Sequence, residues 1–245
     1  EGDLLKNNLE ILPQRITFIN YSNLFTSTSK ESSVFLNGLR NSMYLSIITL
    51  LIGVPISVTS GYALARYRIR YKNLIIAFIL MTIVIPVFTT IIPIYSFFME
   101  HSMLDSMFWT SIIFISAFIP LNIWIVMNYF RELPTDLWEA AAIEGATETQ
   151  IFFKIGLPLA KPIVVTTVLI MFLMSWRQYI IPMLLLSSYN KKVLTMIMSE
   201  FMSRDAINYS IIAMLGIVVT VPPLLASIVF RRNLVSGLTT GSVKD

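Results

Sequence analysis

Five stretches of this chain, residues 41–65, 73–99, 106–130, 162–190 and 206–230, contain no Asp, Glu or Lys, and Arg177 is their one formal charge. About 20 apolar residues cross a hydrocarbon core of about 30 Å, so each stretch is long enough to span a bilayer with some tilt. A lipid interior offers no water to free backbone N–H and C=O groups, so the spanning form is a helix or a closed barrel. Long apolar runs without strict alternation exclude the barrel. Composition agrees: 56% of residues are hydrophobic and 13% charged, against about 25% charged in soluble domains. The fold class expected is an all-α, polytopic membrane helix bundle.

Basic residues in short loops set the orientation. Arg66, Arg68, Arg70 and Lys72 separate the first two spans, whereas the next loop holds Glu100, His101 and Asp105 without Lys or Arg. The first loop is therefore expected on the cytoplasmic side. Alternation then puts the segment 131–161 and a tail of residues 231–245 inside, and residues 1–40 and the loop around Lys191 outside. Lys191, Lys192 and Arg204 run against this assignment. An external N-terminus on a chain that starts at Glu1 leads us to expect a further span upstream, six in all.

Between the third and fourth spans lies a polar insert. Asp136-x-x-Glu139 and Thr147-x-x-Gln150 both have capping-box spacing, which satisfies free N–H groups at a helix start. Glu139-Ala140-Ala141-Ala142 is strongly helix-forming, and Gly145 suits a bend or a C-cap. Ile151, Phe152 and Ile155 have amphipathic spacing. Leu157-Pro158 is expected to stop the second helix, and Pro162 to open the next span. The reading is helix, turn, helix: either an interfacial connector or a knob shaped for a groove on a soluble partner.

Pro55, Pro86, Pro93, Pro120, Pro182, Pro222 and Pro223 fall inside the spans, so each span is expected to be interrupted. Gly53, Gly61 and Gly216 are either close helix contacts or hinges. Arg177, near the middle of the fourth span, should face protein or water rather than lipid. With Trp176, Gln178 and Tyr179 it offers aromatic faces and hydrogen-bonding groups suited to hydroxyl-rich ligands; pairing with a partner's carboxylate is the alternative. Asn122, Trp124 and Asn128 form a second polar set, for which hydrogen bonding between helices is the competing role.

Other classes find little support. Without Cys there is no disulfide, and the single His101 cannot build a metal cluster. The basic residues sit at span ends, where topology and anionic headgroups account for them without nucleic acid. No G-x-x-x-x-G-K-[ST] is present to cradle ATP phosphates. The spans hold no carboxylate for coupling ions, against a secondary transporter using an ion gradient, and no catalytic set for a membrane enzyme.

The spacing Glu139-Ala140-Ala141, three residues, Gly145, nine residues, Ile155-Gly156-Leu157-Pro158 resembles the cytoplasmic signature loop of binding-protein-dependent ABC importer permeases. Gly237 to Lys244 is similar to the C-terminal ending of the maltose-type carbohydrate permeases. Pro13 to Phe25 resembles their extracytoplasmic segment, and Trp176 to Tyr179 with Pro182 their W-N-x-F/Y region. Arg177 stands where that family usually has Asn, and Glu144 where it often has Asp. The resemblance implies a transport subunit with no cofactor of its own. Its partners would be a related permease, an extracytoplasmic sugar-binding protein and two ATPase subunits that bind ATP and Mg. Glu139, Ala140, Ala141, Gly145, Ile155, Leu157 and Pro158 would carry ATPase coupling, and Trp176, Arg177, Gln178, Tyr179 and Asn122 would line the substrate pathway. The implied location is the bacterial or archaeal cytoplasmic membrane.

Overall fold

The computed structural model describes residues 19–26, 30–202 and 209–239, and all regular structure among them is helical. Arg204, the last residues of the tail and the first part of the segment from Pro13 to Phe25 lie outside the described residues. A short helix α1 (Ile19–Thr26) precedes α2 (Lys30–Arg66). At about 1.5 Å per residue the 37 residues of α2 make a rod of about 55 Å, longer than the bilayer core. It begins well before residue 41, the expected boundary. The helix α5 (Met107–Glu132) spans as one piece, as does α12 (Tyr209–Thr239), which carries helix past Phe230 into the expected tail.

Two expected spans are not single helices. The stretch 73–99 divides into α3 (Lys72–Val84) and α4 (Val87–Glu100), which meet at 94°. Pro86 causes the break: it pushes Ile85 into extended backbone (φ −66°, ψ 119°), as a residue before proline prefers. The stretch 162–190 divides into α9 (Lys161–Trp176) and the short α10 (Ile180–Leu185), with a 3₁₀ turn at Tyr189–Lys191 before α11 (Leu194–Met202). Conversely, Pro55, Pro120, Pro222 and Pro223 lie inside unbroken helices, so the expectation that proline interrupts every span is corrected. Thr59 donates its hydroxyl to the Pro55 carbonyl at 2.8 Å, four residues back on the same helix.

Packing centres on α2, α5 and α9, whose buried faces share one core including Leu45, Val58, Phe114, Val126, Ile163 and Met171. Small residues permit the close crossings. A Cβ on Gly61 would fall 2.6 Å from Val126 Cγ1 and 3.0 Å from the Met127 backbone N, and one on Gly53 would fall 2.7 Å from Met171 Sδ. Gly216 has no neighbour within 4 Å of that position. Close contact is thus the role of the first two and not of the third. Some core hydroxyls are satisfied locally or across helices, Thr49 donating to Leu45 O at 2.7 Å and Ser175 to Ser46 Oγ at 3.0 Å, while those of Ser57 and Thr167 are buried without a partner among the described residues.

The two ends of the bundle differ chemically. At one end the Asn41 amide donates to the carbonyls of Asn190 (2.8 Å) and Lys192 (2.9 Å), and Leu194 N–H to Ser42 Oγ (3.0 Å). There Asp105 accepts from Ser188 N–H at 3.0 Å and from its hydroxyl, and pairs with Lys191 at 3.3 Å. Lys192 pairs with Glu200. The two lysines that ran against the topology are therefore neutralised, while Arg66 to Lys72 collect at the opposite end of α2 with the segment 131–161. The distribution of basic residues makes that end cytoplasmic.

Gly61→Val should cost about 1–3 kcal/mol through overpacking against α5, lowering the melting temperature in detergent, while Gly216→Ala leaves it unchanged; equal behaviour would contradict the contact. Burial would raise the Asp105 carboxyl, but hydrogen bonds from Ser188 and the Lys191 charge outweigh it and hold it below the ordinary value of 3.8. A depressed carboxylate stabilises above its unfolded pKa and loses that contribution as pH falls through the folded one. Melts across pH 6 to about pH 3 should therefore fall more steeply for the parent than for Asp105→Asn; parallel curves would remove the clasp's role.

Candidate functional site

The insert is built as a seated knob. Its first helix, α6 (Asp136–Ile143), starts after Thr135, which lies in helical backbone and makes no side-chain cap. The expected Asp136-x-x-Glu139 box does not form; the Thr135 hydroxyl donates instead to Asp136 Oδ1 at 3.4 Å. The C-terminus closes as a Schellman motif: Ala146 N–H reaches Ala141 O and Gly145 N–H reaches Ala142 O, both at 3.0 Å. Gly145 supplies the left-handed residue, φ 83°, that this motif needs. The second box does form. Thr147 Oγ1 accepts from Gln150 N–H at 3.3 Å, and Gln150 Oε1 accepts from Thr147 N–H at 2.9 Å, opening α7 (Glu148–Ile151).

Pro158 does not stop this helix. It runs through one π turn, Phe152–Gly156, into α8 (Leu157–Leu159). Proline clashes with the carbonyl four residues back, and a turn widened to five residues, with Leu157 N–H on Phe152 O, removes that clash. The chain then bends by 73° into α9.

One face of the knob is anchored and the other is bare. Trp138 and Ala141 are buried, three residues apart on α6. Around Tyr62 of α2 gather the rings of Phe152 (centroids 4.8 Å), Phe130 (5.2 Å) and Trp138 (6.0 Å), and the Arg66 guanidinium lies 5.9 Å over Trp138. Tyr129 donates to Leu159 O at 3.0 Å. Beside them Tyr67 donates to Glu148 Oε2 at 3.1 Å; burial, then that carboxylate, raises its phenol above the ordinary value. Ile155 and Leu157 pack partly against this core. Glu139, Ala140, Gly145 and Pro158 are exposed, and Ile143 at the tip is 86% exposed. Sequence reading missed the aromatic anchors. The Trp138/Ala141 spacing marked the inward face, but nothing marked Tyr62, which reads as one more apolar span residue.

The polar set on the fourth span is at the break between α9 and α10, on the side of the bundle towards Asn41: Ser175, two residues before Arg177, bonds Ser46 of α2. Trp176 is buried and its indole donates to Val219 O at 2.9 Å. Arg177 caps the C-terminus of α9 with its side chain exposed, where a cation suits the helix dipole. Gln178 O accepts from the Thr195 hydroxyl at 2.7 Å, and Tyr179 OH from the Ser199 hydroxyl at 3.2 Å. Tyr179, Met183, Lys192, Met196, Ser199 and Glu200 line a cleft of about 180 Å³. Asn122 lies apart from this group, fully buried, its amide donating to Phe118 O of its own helix at 2.8 Å. That bond is within one helix rather than between two, and Trp124 points elsewhere, 41% exposed.

Comparison with known proteins agrees with this geometry. The chain is 29% identical over 239 residues to the trehalose transport system permease protein SugB of Mycobacterium tuberculosis, covering 96% of this chain and 85% of that protein. It is 28% identical over 244 residues to the arabinooligosaccharides transport system permease protein AraQ of Halalkalibacterium halodurans, covering 99% and 85%. Its fold matches a chain in the crystal structure of a bacterial ABC transporter involved in the import of the acidic polysaccharide alginate, with TM-score 0.72 and 22% identity over 99% of this chain and 85% of that one. Residues 53–239 match the family described as "binding-protein-dependent transport system inner membrane component", and the chain belongs to that family as a multi-pass inner-membrane transport subunit.

Proposed function

We propose that this permease moves a carbohydrate through a pathway it shares with a related sister permease, and that two separate ATPase subunits, which bind ATP and Mg, drive it through the knob at 131–161. An extracytoplasmic binding protein would deliver the sugar. The observation that carries the reading is a stiff helix-turn-helix on the basic side with an anchored aromatic face and an uncovered tip formed by Glu139, Ala140 and Ile143. Ile143, 86% exposed at that tip, is an apolar side chain that a partner's groove would cover. Carbohydrate is favoured by the relatives that carry trehalose and arabinooligosaccharides.

The mechanism follows from how the knob is seated. Closure of the ATPases around ATP would draw two such knobs together. Because Trp138 and Phe152 abut Tyr62 of α2, and Leu159 is bonded to Tyr129 of α5, displacement would pass directly into two helices of the central core. The population would shift toward an outward-open bundle and return after hydrolysis. Arg177, Gln178 and Tyr179, at the break between α9 and α10, are the proposed pathway contacts, since a broken helix exposes polar backbone where a substrate passes. Trp176 would hold that break in place through Val219, and Asn122 would act from behind, in the α5 packing.

In the reconstituted complex, ATP-dependent uptake over a panel of mono-, di- and oligosaccharides should fall at least roughly tenfold with Glu139→Ala, while the chain still inserts. Gly145→Pro should act more severely, since proline fixes φ near −65° where the turn needs φ 83°, and removes the N–H that reaches Ala142 O. Undiminished uptake in both would refute coupling through the knob. Trp138→Ala should cost about 3 kcal/mol or more of seating, seen as faster amide exchange across 136–159 with the spans unchanged; protected amides there would show that the anchor lies elsewhere.

A further inference from the structure

Beside the knob, at the cytoplasmic end of α2 and α5, is a cavity of about 140 Å³, several water volumes in size. Its wall includes Tyr62, Arg66, Phe130, Arg131, Leu133 and Trp138. The Tyr62 hydroxyl oxygen faces the Arg66 guanidinium, with Glu148 within electrostatic reach, but neither the phenol nor Arg66 Nε makes a well-formed hydrogen bond, and Tyr62 as a whole is 4% exposed. Buried donors left unmet are costly, so two at one cavity mark a missing acceptor. The charges point the same way. Lys72 stands within electrostatic reach of Arg131, and its ammonium donates only to the carbonyls of Ala65 (3.2 Å) and Tyr67 (3.3 Å). Among the described residues neither Arg66 nor Arg131 pairs with a carboxylate. The nearby acids are otherwise engaged: Glu148 takes the Tyr67 hydroxyl, Asp136 takes that of Thr135, and Glu132 lies toward Tyr129.

We propose that this cavity binds the phosphate headgroup of an anionic glycerophospholipid of the inner leaflet. The cavity sits where α2 and α5 leave the bilayer, at headgroup height, and cationic pockets between spans on this side suit such headgroups. An acyl chain has a surface to follow. Lys72 opens α3, which has no buried residue and presents Leu74, Ile75 and Phe78 outward. A bound headgroup would neutralise Arg66 and Arg131 beside the Trp138 anchor and thereby stiffen the joint between knob and spans.

The test is native mass spectrometry of the full chain with dioleoyl phosphatidylglycerol, dioleoyl phosphatidylcholine or inorganic phosphate. The expected result is retention of one phosphatidylglycerol, with phosphatidylcholine lost. Arg66→Gln and Arg131→Gln should each weaken retention roughly tenfold and Tyr62→Phe several-fold, as loss of charged and neutral hydrogen bonds to one oxyanion requires. Lys154→Gln, an exposed cation on the knob, should change nothing. Arg131 is exposed and Tyr62→Phe keeps the ring, so both variants read binding and not folding. Equal retention of the two lipids, indifference to all three variants, or displacement of lipid by inorganic phosphate alone would overturn the proposal. So would an Arg131→Gln variant that retains lipid fully but loses its association with an ATPase chain, which would mark a protein contact instead.

Discussion

The contact on which the remaining architecture depends is the ring cluster around Tyr62, where Phe130 of α5, Trp138 of α6 and Phe152 of the π turn converge on one side chain of α2. Edge-to-face rings bury large areas and resist sliding. Three segments distant in sequence are thus fixed at one point, on the basic end of the bundle. Without that joint the knob would be a tethered hairpin, and a force applied at Ile143 would swing it rather than move α2 and α5. The Schellman turn at Gly145 and the Thr147/Gln150 box add local stiffness, so the knob behaves as one body.

Proline acts in this bundle according to its neighbours. At Pro86 the chain gives way and two helices meet at a steep angle, whereas at Pro55, Pro120, Pro222 and Pro223 the helix continues, at the half-buried Pro120 and at the exposed Pro55 alike. Pro158 represents a third outcome, in which a π turn absorbs the steric conflict and helix persists to Leu159. Each case obeys the same rule, a missing N–H and a clash with the preceding turn.

At the outer end, charge pairing performs the corresponding service. Asp105 draws Ser188 and Lys191 to it, and Asn41 ties α2 to the carbonyls of Asn190 and Lys192. The loops over the break at Arg177 are therefore held by polar contacts, while the inner end is held by rings. The lysines that weighed against the topology in sequence are the partners of Asp105 and Glu200.

The chain by itself determined that it is helical and membrane-bound and that residues 131–161 form a helix-turn-helix, because hydrocarbon demands internal backbone hydrogen bonds and because capping and glycine chemistry act locally. Spacing alone was enough to identify the Thr147/Gln150 cap and the turn at Gly145. Tertiary structure decided what depends on who stands opposite. Gly61 meets Val126 while Gly216 meets nothing, Trp176 reaches Val219, Asn122 turns to its own helix, and Arg177 lies at the break because α9 stops at Trp176. The contacts of Gly61 and Trp176 join residues tens of positions apart, and a side chain's local sequence carries no record of the partner that packing will bring to it.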